Sequence, residues 1–260
     1  MTQASVGFHC PECVKRGAKR SPVIAFRELG GGRPVMTIAL IALNVAGYLA
    51  EIITGGSVWN GGGRAAENGM LIGRWTNFGV GPGGVSIERI GVAHGETWRI
   101  VTSGFLHSGL LHLGMNMLLL YLIGSQLEPL LGRIRFLALY VACLVAGSFG
   151  VLLVTPTTAA IGASGAVFGL MGAALVAQRR AGLDLLRNGI GGLVIINLLL
   201  TFTVPGIAVG AHVAGLVGGV VVGALVFALD SAVRSPWVGT AACVAITVAL
   251  WFGCIWAAAR

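Results

Sequence analysis

Charge is what this chain has least of. Only 10% of its 260 residues are Asp, Glu, Lys or Arg, against about 25% in soluble globular domains. With 56% hydrophobic residues and a mean hydropathy of +0.89, a soluble domain is excluded, and the fold class expected is an all-α polytopic membrane protein. A His-Glu-x-x-His pair is also absent, and no carboxylate is seen that could serve as an intramembrane base. That argues against a zinc-protease reading of the chain's histidines. Nor does the sequence show a cleavable signal peptide, because the first apolar segment is too long and follows a basic segment of 34 residues; it is expected to stay as an anchor.

What is present instead is a series of apolar stretches near the roughly 20 residues a bilayer crossing needs. They run over 35–53, 110–131, 136–154, 162–177, 190–204, 207–229 and 238–258, which makes seven. The net charge of +8 follows the connections between them rather than clustering with aromatics, so membrane topology explains it better than nucleic acid. Lys15, Arg16, Lys19, Arg20, Arg27 and Arg33 precede the first stretch, Arg133 and Arg135 follow the second, Arg179, Arg180 and Arg187 the fourth, and Arg234 the sixth. Residues 155–160 and 205–206, on the other side, carry no charge. The positive-inside rule then places the amino terminus in the cytoplasm and the carboxyl terminus outside.

Residues 1–34 read as a basic cytoplasmic tail. Within it Cys10 and Cys13, in Cys-Pro-Glu-Cys with His9 beside them, form half of a four-ligand zinc site with no second pair in reach. Exposed reduced cysteines and the remnant of a zinc module are both open readings. Cys143, Cys243 and Cys254 lie inside apolar stretches and fit as small packing residues. Residues 54–97 form the one long connection, rich in glycine and carrying Trp59, Trp75 and Phe78, with Trp98 just beyond its end. Loops of that length are uncommon unless functional or disordered, and the aromatics suit an interfacial position.

Polar residues at membrane depth are costly and mark functional sites by default. Here they are His107, His112, Asn116, Ser164 and His212. A helix starting at Ser164 and ending near Gln178 would rise roughly 21 Å at 1.5 Å per residue, short of a hydrocarbon core of about 30 Å. Ser164 therefore falls below the outer surface, at a helix amino terminus. Counting up the second and sixth stretches places Asn116 and His212 at a similar depth. Gly165 and Gly169 on one stretch, and Gly215 and Gly219 on the other, are small-xxx-small pairs that allow two helices to approach closely.

A serine hydroxyl becomes a nucleophile when a histidine in hydrogen-bond reach takes its proton, and Ser164 with His212 is the pair on glycine-packed stretches. With no carboxylate near, the imidazole lacks an orienting third member and the expected unit is a dyad. His112 and Asn116, at i and i+4, share a helix face. With the Ser164 N–H they could bind an oxyanion.

The order Trp98-Arg99, His107-x4-His112-x3-Asn116, Gly162-x-Ser164-Gly165, Ala211-His212-x-x-Gly215-x-x-x-Gly219 closely resembles the rhomboid intramembrane serine proteases, over about residues 96–229. The resemblance implies a six-helix bundle (35–229) with one extra carboxyl-terminal helix (230–260), Ser164 as nucleophile and His212 as base. It also implies His112 and Asn116 at the oxyanion, His107 in support, Gly162 shaping the active-site loop, and Arg99 and Glu128 holding the first loop and second span. Phe168 stands where some members stack a tyrosine on the base. The tail resembles the end of a cysteine-rich zinc module found before some bacterial rhomboids. The expected function is cleavage of transmembrane protein substrates near the outer face of the plasma membrane, with no cofactor and no nucleic acid. A non-catalytic rhomboid-like binding protein is the alternative.

Overall fold

The computed structural model describes residues 2–3, 8–9, 33–81, 84–186, 190–233 and 235–260. Cys10 and Cys13 lie outside them. The first described pieces are a two-residue antiparallel pair, β1 (Thr2–Gln3) and β2 (Phe8–His9).

The long helices are α1 (Val35–Ile53), α4 (Leu110–Leu131), α5 (Arg133–Val154), α6 (Ser164–Arg180), α7 (Ile190–Thr203), α8 (Val209–Ala232) and α9 (Pro236–Ala259), with the short α2 (Gly63–Gly69) and α3 (Arg99–Thr102) between α1 and α4. Their boundaries are set by glycine and proline. Pro34 precedes α1 and Pro236 opens α9, positions where a missing N–H costs nothing. Gly132, at φ +80°, both ends α4 and starts α5, a left-handed conformation that residues with a Cβ avoid. Among the described residues, five helices (α1, α4, α5, α8 and α9 from Trp237) are long and apolar enough to cross a membrane. The serine helix α6 has 17 residues and α7 has 14, so the shortness expected of the fourth stretch extends to the fifth.

α5 is the centre of the bundle. Of its most apolar stretch 67% is buried, against 17% in α9. α6 and α8 cross it and each other through glycine. A methyl group at Gly215 would run into the Gly165 carbonyl, and one at Gly219 into the Gly169 carbonyl, so the two small-xxx-small pairs face one another. Gly150 of α5 and Gly210 of α8 make a similar backbone approach. Gly219→Val is expected to destabilise the bundle by about 2 kcal/mol through overpacking, read as a lower melting temperature in detergent.

The seventh helix is more than a tether. α9 lies along α5, with Cys243 and Cys254 buried and the Cys254 thiol 3.8 Å from the Val145 carbonyl. Its far end reaches the turn Val92–His94 in the long connection. At the opposite end Arg135 of α5 is ion-paired with Asp230 of α8.

That long connection, read from sequence only as a glycine-rich loop, is built. After α2 it forms a hairpin of β3 (Trp75–Gly81) and β4 (Gly84–Ile90), in register from Trp75 opposite Ile90 to Gly81 opposite Gly84. Trp98 and Arg99 lock α2 in place. The Arg99 guanidinium donates to the Glu67 and Met70 carbonyls at 2.8 and 2.9 Å, Trp98 Nε1 to the Asn68 carbonyl at 3.1 Å, and Thr102 Oγ1 to the Gly69 carbonyl at 2.8 Å. These are the carbonyls that a helix end leaves without partners, and a cation there also meets the negative end of the helix dipole. Glu128, buried on α4, accepts the N–H groups of Met36 and Thr37 and the Thr37 hydroxyl, all at 2.8 Å, so it caps α1 from across the bundle.

Candidate active site

Ser164 is the first residue of α6 and is half-buried. The strand-like segment before it is held by the long connection. Leu71 and Ala160 exchange backbone hydrogen bonds of 2.9 Å in both directions, and the Gly162 N–H donates to the Ser103 carbonyl at 2.9 Å. The connection between the first two long helices therefore fixes where α6 begins.

Gly162 adopts φ +128°. A Cβ built there would lie 2.9 Å from His112 Nε2, 2.7 Å from His112 Cε1 and 3.6 Å from Ser164 Oγ. Glycine thus lets the His112 ring pack against the backbone just before Ser164, where any Cβ would collide with it. The protonation of that ring follows from its other nitrogen. The Ser108 N–H points at His112 Nδ1 from 3.3 Å, with Ser108 Oγ at 2.9 Å. A backbone N–H can only donate, so Nδ1 is the acceptor and the ring proton sits on Nε2, the nitrogen beside Gly162.

Asn116 is buried, and its amide donates 2.9 Å to the His112 carbonyl one turn back. The amide keeps a second N–H for other use. His107 is fully buried, its ring edge-on to His112 with centroids 5.2 Å apart, and its backbone N–H donates 2.7 Å to Glu51 on α1. Glu51 is fully buried and also accepts the Gly62 N–H at 3.3 Å. It binds backbone and fixes the loop that carries His107.

His212 lies on α8 beside Ala211, which packs on Gly165. It is 8% exposed and stacks on Phe168 of α6, with centroids 4.1 Å apart and planes 16° from parallel. Its Nδ1 is 2.7 Å from Thr201 Oγ1 on α7. Thr201 was missed because a single hydroxyl in an apolar helix carries no mark in sequence. Ser108, four residues before His112, is equally unmarked, and Glu51 is defined by a partner 56 positions away in the chain. Among the described residues no group of three His, Cys, Asp or Glu side chains could hold a metal ion.

Residues 94–229 match the model of the Rhomboid domain. The chain is 34% identical to the rhomboid protease GluP of Bacillus subtilis (strain 168) over 191 residues, 72% of this chain and 34% of GluP. It is 35% identical to YdcA of the same organism over 139 residues, half of this chain and 67% of YdcA. With RHOMBOID-like protein 5 of Arabidopsis thaliana it shares 44% over 92 residues, 35% of this chain and 30% of that protein. The chain thus spans about a third of GluP and two thirds of YdcA.

Proposed function

From the membership of this chain in the rhomboid family, we propose that it is an intramembrane serine endopeptidase that cleaves transmembrane protein substrates. The observation that carries this reading is the convergence of two groups at Gly162, where the point a Cβ would occupy is 2.9 Å from the donor nitrogen of His112 and 3.6 Å from the hydroxyl of Ser164. A site of that form suits a carbonyl whose carbon meets the hydroxyl while its oxygen turns toward the histidine.

In this mechanism His212 takes the Ser164 proton as Oγ attacks the peptide carbonyl carbon. The negative oxygen of the tetrahedral intermediate is held by His112 Nε2–H, the Asn116 amide and the Ser164 N–H, which the helix leaves free and whose dipole favours negative charge. Collapse breaks the C–N bond, and the departing amine takes the proton from His212. Water then attacks the acyl ester, again with His212 as base, and releases the carboxylate. Each donor is worth about 10²–10³ in rate where an oxyanion hole operates. No cofactor enters.

The charge distribution supports a multi-pass plasma-membrane protein with its amino terminus in the cytoplasm, its carboxyl terminus outside, and the site toward the outer face. A substrate helix must unwind locally to offer a peptide bond, because a helix in lipid keeps its backbone groups paired. Substrates with helix-breaking or small residues near the cut are therefore expected.

The test is covalent labelling of the purified full chain in mild detergent by a fluorophosphonate, with the adduct located by mass spectrometry. An adduct on Ser164, unaffected by a metal chelator, is the expected result. A folded protein that never labels and cuts no membrane protein would instead be a non-catalytic rhomboid-like binding protein.

A further inference from the structure

The proton inventory around His212 reaches further than the dyad. Thr201 Oγ1 has two close partners, the Asn197 carbonyl one turn back at 2.7 Å and His212 Nδ1 at 2.7 Å. A hydroxyl has one proton, and a carbonyl oxygen can only accept. If that proton pointed at the imidazole, Oγ1 and the Asn197 oxygen would face each other as two acceptors with nothing between them. The proton therefore goes to Asn197, and the Thr201 oxygen accepts from His212 Nδ1–H.

We infer that Thr201 is a positioning residue for His212, holding its ring proton on Nδ1 so that the Nε2 lone pair is free to act as base. This rests on the serine-protease reading and supplies the orienting group that the dyad lacks. In Ser-His-Asp enzymes a buried carboxylate holds the catalytic histidine in one tautomer and one orientation. Here a neutral hydroxyl does so, at no cost of burying a charge in an apolar bundle. The device is rigid. Bonding to the carbonyl four residues back is a common state for helical threonine, so the backbone of α7 aims the oxygen. Phe168 fixes the plane of the ring and Thr201 fixes its rotation within that plane.

α7 shows the same specialisation in its burial. Ile195, Ile196, Leu199, Leu200 and Phe202 are exposed, whereas Thr201 is 2% exposed. Of the four residues that α7 buries, Ile190, Gly191, Val194 and Thr201, only Thr201 has a polar side chain. Packing alone at that position would be served by valine, which has the same shape. The two site histidines are then held in opposite tautomers by two hydroxyl residues: His112 as a donor from Nε2 beside Ser108, and His212 as an acceptor at Nε2 beside Thr201.

The test uses the full chain in detergent. In ¹⁵N-histidine-labelled protein, the His212 resonances, assigned by their loss in His212→Ala, should show Nδ1 protonated and Nε2 bare in the resting enzyme. Thr201→Val should abolish that fixed assignment. It should also slow fluorophosphonate labelling about tenfold, the effect of one hydrogen bond of about 1.4 kcal/mol, with the probe concentration for half-maximal rate unchanged. Thr201→Ser should restore both. If the valine variant does not fold, Thr201→Ala takes its place. A His212 proton on Nε2 in the wild type, or a folded Thr201→Val that labels at the wild-type rate, would overturn the inference while leaving the serine-protease reading intact. A wild type that never labels overturns both.

Discussion

Ser164→Ala and His212→Ala are each expected to lower cleavage of membrane-protein substrates by about 10⁴-fold or more, the size seen when a member of a nucleophile–base unit is removed. The two losses have different signatures. In the proposed mechanism Ser164→Ala removes the attacking atom, so the fluorophosphonate adduct is expected to disappear at any incubation time. It should leave stability nearly unchanged, because the residue before it, Ala163, is the N-cap and no side-chain cap bond is lost. His212→Ala leaves the hydroxyl in place but without a base, so labelling survives only as a slow reaction. It also strips the stacking partner from Phe168 and the hydrogen-bond partner from Thr201, a stability cost of about 1–2 kcal/mol. Cleavage of tagged single-span proteins in reconstituted vesicles, with melting followed by tryptophan fluorescence, separates loss of chemistry from loss of fold. A Ser164→Ala variant that still cuts at more than a hundredth of the wild-type rate would remove serine from the mechanism.

The contrast between these residues and their supports explains how far the sequence could be read. Seven apolar stretches were legible because a bilayer demands a minimum helix length and tolerates few charges. The second, 110–131, coincides with α4 (Leu110–Leu131). The depth expected of Ser164 presupposes a helix starting there, and α6 does begin at that residue. The facing of Gly165 and Gly169 against Gly215 and Gly219 followed from the need of close helices for small residues, and the structure pairs them in that order. What stayed hidden depends on pairing across the chain. The bond from Arg99 to the Met70 carbonyl, the Leu71–Ala160 bridge and the Glu51 bond to His107 join residues tens of positions apart, and no local period records them. Thr201 was hidden for a chemical reason as well, since a neutral hydroxyl in an apolar helix does not stand out as a buried carboxylate would.

The same cross-chain supports make Arg99→Ala the most damaging change expected outside the histidines and serine. Arg99 is 3% exposed. It donates to the carbonyls of Glu67 in α2 and of Met70 just past its end, and to Glu96, whose Oε2 is 2.7 Å from its Nε. Alanine leaves the Glu67 and Met70 carbonyls without their partner. At about 1–3 kcal/mol for each unsatisfied buried group, the variant should lose about 3 kcal/mol and drop in melting temperature. The loss propagates, because the connection that Arg99 stiffens is the one whose Leu71 and Ser103 hold the segment entering Ser164. Activity should therefore fall together with stability, and Arg99→Lys should recover little, a point charge being unable to reach two carbonyls and a carboxylate at once. Acid tests the same anchor. Burial alone would push the Glu96 carboxyl up, but the Arg99 hydrogen bond, the Gly91 N–H and the charges of Arg99 and His94 outweigh it and hold the group below its ordinary value of 4.5. A depressed folded-state pKa contributes stability that is present above 4.5 and lost as pH falls through the lower folded value. The wild type should thus loosen in that acid window, where Glu96→Gln, measured by the same melts, should show a flatter profile.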